Sequence, residues 1–227
     1  PPIYALGDIN EVLKLWRGIK YHQKVRIGDF EIELFDAGHV LGSSFVVVSS
    51  NDGKRVVFSG DLGNMPAPIV KDTEHIDRAE YAVIESTYGG HIHKTVKPRK
   101  EELEDVIEET IKAKGVLMIP AFAMERTQEL LYEMNLLVEQ GRIPRVPVFI
   151  DSPLAIKLTA VYKKYSQDPE YFDKEALELL NKGDAIFNFP GLVHTLTTEE
   201  SKSINEVPAP KIIIAGAGMS NGGRILH

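Results

Sequence analysis

"ELFDAGHVLGSSFVVVSSNDGKRVVFSGDLG" runs from Glu33 to Gly63, and its reading decides the fold. It holds one histidine, His39, and one aspartate, Asp61, in two turns of small residues, each beside a strongly apolar run. "SSFVVVSS" and "KRVVFSG" read as two strands around Asn51-Asp52-Gly53, a strong short-range hairpin signal. Upstream, "VRIGDFEIELFDAG" reads as another hairpin, with a turn near Gly28-Asp29 and alternation through Phe30, Ile32 and Leu34. Before it, "INEVLKLWRGI" has helical apolar spacing at Val12, Leu13, Leu15 and Trp16. Downstream, "AEYAVIEST" reads as a further buried strand that ends on Glu85.

The pattern changes near Lys94. "KTVKPRKEELEDVIEETIKAKG" predicts a charged amphipathic helix closed by Gly115. "VLMIPAFA" predicts a continuous apolar strand, followed by a helix in "ERTQELLYEMNLLVEQG" that ends at Gly141. "VPVFIDSP" and "KIIIAGAG" are two more strands, with a helix in "LAIKLTAVYKKY". Strand then helix, repeated with short links, predicts a parallel α/β sheet. The charged stretch from Lys94 to Glu109 is the expected boundary, dividing the chain into residues 1–95 and 96–227.

Composition narrows the chemistry. The 227 residues suffice for a sizeable core, and no apolar run approaches the roughly 18 residues of a membrane span. With no signal peptide at its start and no cysteine, the chain is expected to be cytoplasmic, with no membrane partner. Without thiolates, a metal would be held by His, Asp, Glu or backbone oxygen. A net charge of −7 argues against a non-specific nucleic-acid coat but leaves room for a local basic cleft.

In an open α/β sheet, ligands gather at the carboxyl ends of the strands. Three such ends share a style here: "IPAFAMERTQE", "IDSPLA" and "IAGAGMSNGGR". Each offers small residues that admit a ligand to the backbone, then a helix start whose free N–H groups suit an anion. Arg126 and Arg224 add guanidinium groups suited to phosphate. Plain strand-to-helix punctuation explains any one of them; three in sequence suggest a phosphate-lined edge. "GAGMSNGG" is no Walker loop, since no Gly-Lys-Ser/Thr follows.

From spacing alone, His39 is equally a surface or satisfied residue, and Asp61 a turn former. Their pairing favours a metal site, because both side chains are placed by rigid strands and glycines clear space around an ion. His and Asp are ligand types that zinc accepts. Glu85, at the end of the next strand, is a third acid that needs a partner.

"DAGHVLGSS", "FSGDLG" and "IESTYGG", in this order, resemble the metallo-β-lactamase fold as used by the β-CASP ribonucleases. That family includes ribonuclease J, archaeal homologues of the pre-mRNA cleavage endonuclease and related bacterial RNA-processing enzymes. "PAFAMERTQELL", "DSPLA", "TTEES" and "GMSNGGRILH" match as well, so the resemblance covers nearly the whole chain. It implies a partial metallo-β-lactamase (αββα) fold followed by a β-CASP parallel α/β domain. It further implies that His39 is a zinc ligand, that Asp61 bridges two zinc ions, and that Glu85 opens the β-CASP signature and hydrogen-bonds a metal-site histidine. Arg126, Ser152, Gly222, Gly223 and Arg224 are the candidates for RNA phosphate contacts, with His93 at a frequent family position.

The family's His-x-His-x-Asp-His motif does not precede "PPIYAL"; "GGHIHKT", with His91 and His93, imitates only its first half and reads as a polar loop. Two later family histidines are also missing. The expectation is therefore an internal piece of a longer zinc-dependent ribonuclease, with RNA as partner and homodimerisation left open, and inactive as it stands. The alternatives are a non-catalytic β-CASP scaffold and a small-molecule hydrolase of the same fold. The α/β insert with three phosphate-type turns argues against the second.

Overall fold

The computed structural model describes residues 3–91 and 98–227. A first helix, α1 (Leu6–Leu15), buries no residue, and Trp16 just after it is 74% exposed. The helical spacing is realised, but the apolar stripe it presents packs on nothing among the described residues.

Five strands follow: β1 (Val25–Ile27), β2 (Phe30–Asp36), β3 (Ser44–Ser50), β4 (Arg55–Phe58) and β5 (Tyr81–Val83). They form one sheet in sequence order. β1 to β4 pair antiparallel, and β5 joins β4 in parallel. The two tight turns fall at Gly28 and Gly53, where φ is 59° and 82°, values that glycine takes without strain. Register sets Phe35 opposite Phe45, whose rings stack at 5.2 Å. Ala37, Phe45, Val47 and Val57 form the small core beneath. The expected buried strand in "AEYAVIEST" is not buried. β5 is a three-residue edge strand, exposed throughout, because nothing among the described residues covers its outer side.

The second half is a four-stranded parallel sheet of β6 (Val116–Pro120), β7 (Val148–Asp151), β8 (Leu192–His194) and β9 (Lys211–Ala215), in the order β6-β9-β7-β8. Its helices are α2 (Arg99–Lys112), α3 (Arg126–Glu139), α4 (Pro153–Tyr165), α5 (Lys174–Asn181) and α6 (Thr198–Ser203). The central strands β7 and β9 are buried almost throughout, as apolar runs in a covered parallel sheet should be. β6 is an edge strand whose burial alternates, so "VLMIPAFA" is shorter and less covered than its composition suggests. α2 is closed by Lys114 in the left-handed region (φ 50°) rather than by Gly115, whose N–H bonds the Thr110 carbonyl.

The residue 95/96 division lies outside the described residues. The sheets fall on either side of it, yet the chain between β4 and β5 is sewn into the second core. Ile69 and Val70 are buried there among Phe172, Leu131 and Ile150. Val70 bridges to Phe172, and the Asp173 N–H donates to the Ile69 carbonyl at 2.8 Å.

Candidate active site

His39 sits in the turn after β2, and the turn is held by backbone donors rather than by its functional side chain. Ser43 Oγ accepts from the His39 and Val40 N–H groups at 3.0 and 3.1 Å. Buried Asp36 accepts from the Gly38 N–H at 2.8 Å. Burial pushes the Asp36 carboxyl up to about 6. Gly38 has a φ of 61°, and a Cβ there would lie 2.6 Å from the Thr73 nitrogen, so only glycine fits.

The Asp61 turn, after β4, is docked directly on this one. The Gly63 N–H donates to the Ala37 carbonyl at 2.8 Å. A Cβ on Gly63 would overlap the Gly38 carbonyl oxygen at 1.8 Å. The "DAGH" and "GDLG" glycines are therefore the contact surface between the two turns. Glu85, just after β5, closes the group: its Oε1 accepts from the Leu62 N–H at 2.7 Å, and its own N–H donates to Ser59 Oγ at 2.9 Å. The Leu62 bond first, then Thr87 and more weakly His39, hold the Glu85 carboxyl below its ordinary value, so it is ionised at neutral pH. Glu85 thus supports the Asp61 turn and senses His39 through space. Among the described residues, neither the His39 ring nor the Asp61 carboxylate makes a hydrogen bond.

These donors are of the kind zinc takes, but among the described residues no three His, Asp or Glu side chains gather closely enough to hold a metal ion. A catalytic zinc has three protein ligands and an open position. His39 and Asp61 fit such a centre in kind and fall short of it in number.

The three strand ends lie side by side, since β6, β9 and β7 are neighbouring parallel strands. Their turns touch: a Cβ on Gly218 would lie 2.9 Å from the Phe122 ring, and one on Gly216 would lie 3.8 Å from Ser152 Oγ. Ser152 caps α4, its Oγ accepting from the Ala155 N–H at 3.3 Å. Arg126 is exposed and pairs with Glu129. Gly222 accepts from the Ala217 N–H at 3.2 Å. Arg224 is committed to the protein: Nη1 donates to Asp151 at 2.7 Å and to the Thr195 carbonyl, and Nη2 donates to the Leu196 carbonyl. Buried Asp151 also accepts from Thr195 and Ser201 hydroxyls at 2.7 and 2.6 Å. Asp151 is thus the hub that ties "DSPLA", "TTEES" and "GGRIL" together, a role the sequence motifs did not reveal. His91 is exposed, and His93 lies outside the described residues.

The chain is a mixed α/β protein with a parallel sheet in its second half. Residues 127–227 match the Beta-Casp domain. The whole chain is 35% identical to "Ribonuclease TTHA0252" of Thermus thermophilus, spanning 51% of that protein. Over 98% of its length it is 31% identical to an "RNase J-like protein" of Methanocaldococcus jannaschii, spanning 51% of it. It is 33% identical to "Transcription termination factor FttA" of Thermococcus kodakarensis over 98% of the chain and 34% of that protein. Residues 127–227 carry the Beta-Casp domain, and the chain as a whole is similar in sequence to β-CASP proteins of the metallo-β-lactamase fold. It spans about half the length, or less, of these curated relatives.

Proposed function

We propose that the protein containing this chain is a zinc-dependent ribonuclease that hydrolyses RNA phosphodiester bonds in the cytoplasm, in RNA processing or decay. One observation carries the reading: the His39 and Asp61 turns are docked on each other through Gly63, Glu85 holds the Asp61 turn through Leu62, and among the described residues neither ligand-type side chain makes a hydrogen bond. Relatives named as a ribonuclease and an RNase J-like protein support the RNA substrate. In this reading residues 1–95 belong to the metallo-β-lactamase domain and residues 96–227 to the β-CASP domain.

His39 and Asp61 would hold metal, completed by ligands beyond these 227 residues. Bound zinc would supply a nucleophile at neutral pH and charge stabilisation at phosphorus. Glu85 keeps the Asp61 turn in place through the Leu62 amide. The rim formed by Ser152, Arg126 and the Gly222-Gly223 turn would orient the RNA backbone, with Arg224 bracing that turn from behind.

The test is metal analysis of the full-length protein together with cleavage of a single-stranded RNA oligonucleotide, with and without a chelator. Chelator-sensitive cleavage restored by zinc is the expected result. A full-length protein that binds RNA, holds no zinc and cleaves nothing would instead be a scaffold.

A further inference from the structure

The β6–α3 turn contains a group that the site as drawn does not use. Glu125 precedes α3 with φ 62° and ψ −60°, a conformation that side-chain-bearing residues rarely adopt. An acid at a helix start ordinarily accepts from that helix's free N–H groups, yet Glu125 makes no such cap. Its side chain turns away and is 95% buried as a residue. Its Oε2 accepts from the Leu41 N–H at 3.2 Å and from the Tyr162 hydroxyl at 2.5 Å. Tyr162, buried on α4, also reaches the Leu41 N–H at 3.2 Å. Leu41 lies two residues past His39, in the same turn. The other oxygen, Oε1, is buried with no hydrogen-bond partner among the described residues.

A strained backbone, a forgone cap and a buried carboxylate with one oxygen unpartnered are each unfavourable alone. Together they achieve one thing: a side chain from the α/β half crosses to grip the His39 turn. We propose that Glu125, fixed by Tyr162, is a positioning residue that sets the placement of His39 from the β-CASP side. The proposal rests on the nuclease reading for its consequence, but the grip itself does not. Asp36 and Ser43 hold the same turn from the metallo-β-lactamase side, at Gly38, His39 and Val40. Glu125, with Tyr162, supplies a further anchor at Leu41, from the other half of the chain. The rim that would bind RNA and the turn that bears His39 are thereby mechanically joined.

The experiment uses the full-length protein carrying these residues, as wild type, Glu125→Ala and Glu125→Gln. The glutamine oxygen can still accept from both Leu41 and Tyr162, so it is the rescuing variant. Hydrogen exchange of peptides covering residues 37–43 is read against peptides from α3. In Glu125→Ala the 37–43 segment should exchange roughly tenfold faster, the scale of one lost charge-assisted bond, with α3 unchanged. Glu125→Gln should recover most of that protection. In RNA cleavage, kcat should fall roughly 10–100-fold in Glu125→Ala with KM near wild type, the range for groups that support a ligand, and recover in Glu125→Gln.

Unchanged exchange at 37–43 in Glu125→Ala overturns the proposal, as does equal loosening in both variants or a loss carried by KM alone. If the wild type cleaves no RNA, the nuclease reading fails while the exchange data still decide the grip.

Discussion

The two clusters of strand-end turns are built on opposite plans. Around His39 and Asp61 the scaffold is made of docked glycines and of backbone amides held by Asp36, Ser43, Glu85 and Glu125, and among the described residues the His39 and Asp61 side chains make no hydrogen bond. On the β6-β9-β7 rim the charged side chains themselves are the scaffold: Asp151 takes Arg224, Thr195 and Ser201 together. Both clusters look alike in sequence, as small residues beside a histidine, acid or arginine. In the proposed reading, the free side chains mark the place for chemistry and the bonded ones the place for shape.

The largest expected effect is on stability, at the rim. Asp151→Ala strands a partly buried guanidinium and two buried or half-buried hydroxyls. Removing one partner of a buried pair typically costs about 3–5 kcal/mol. A urea melt of the chain should show a loss near the lower end, since the Arg224 side chain is 25% exposed. A loss below about 1 kcal/mol would mean that the hub does not organise the rim.

Glu85→Gln probes the other plan. The amide oxygen keeps the Leu62 bond, so the melt should hold while RNA cleavage by the full-length protein falls about 10–100-fold, as for a group supporting a metal site. An unchanged rate would remove Glu85 from the machinery.

The pH dependence sharpens the contrast further, because two acids grip the His39 turn from its two sides. Burial pushes Glu125 up to about 7 and Asp36 up to about 6. Around Glu125, the Tyr162 hydroxyl and Leu41 N–H favour the charged form, as does Arg126 weakly, while Glu129 opposes it. A carboxyl raised on folding binds protons that the unfolded chain has released. Its contribution is therefore fully present below its ordinary value and lost as pH rises through the folded one. Stability should fall between about pH 5 and 7, by roughly 1–3 kcal/mol for Glu125. Urea melts across that range should flatten in Glu125→Gln; an identical slope in both proteins would count against a buried, raised carboxyl.

Much of this organisation was legible in the sequence. Asn51-Asp52-Gly53 gave away the β3–β4 hairpin, because a tight turn needs residues that tolerate positive φ. The strand–helix alternation predicted the parallel sheet, and the three similar strand ends are neighbours in it. Other features depend on partners distant in sequence. Glu125 in "AFAMERTQE" reads as an ordinary first-turn acid until Leu41, 84 residues away, is placed beside it. Periodicity reports which face of an element is apolar but not what covers it, so α1 and β5 were legible as elements and not as exposed ones. Arg224 reads as a phosphate ligand in isolation, and only Asp151, 73 residues upstream, shows it occupied.

That last assignment yields the smallest expected effect and the sharpest separation of the two plans. An arginine that neutralises one phosphate of a single strand contributes about 0.7 to the log–log slope of affinity against salt. Arg224 already donates to a carboxylate and two carbonyls, so its charge is largely balanced within the protein. In the full-length protein, Arg224→Ala should lower the melting temperature and change the slope by much less than 0.7. Arg126→Ala, at an exposed guanidinium paired with the largely buried Glu129 carboxylate, should lower the melt less than Arg224→Ala does and take the larger share of the slope. RNA titrations of both variants over a salt series, each beside a thermal melt, decide it. If Arg224→Ala removes a full phosphate's share with no loss of stability, the guanidinium leaves Asp151 to meet RNA, and the rim is a site of chemistry rather than of shape.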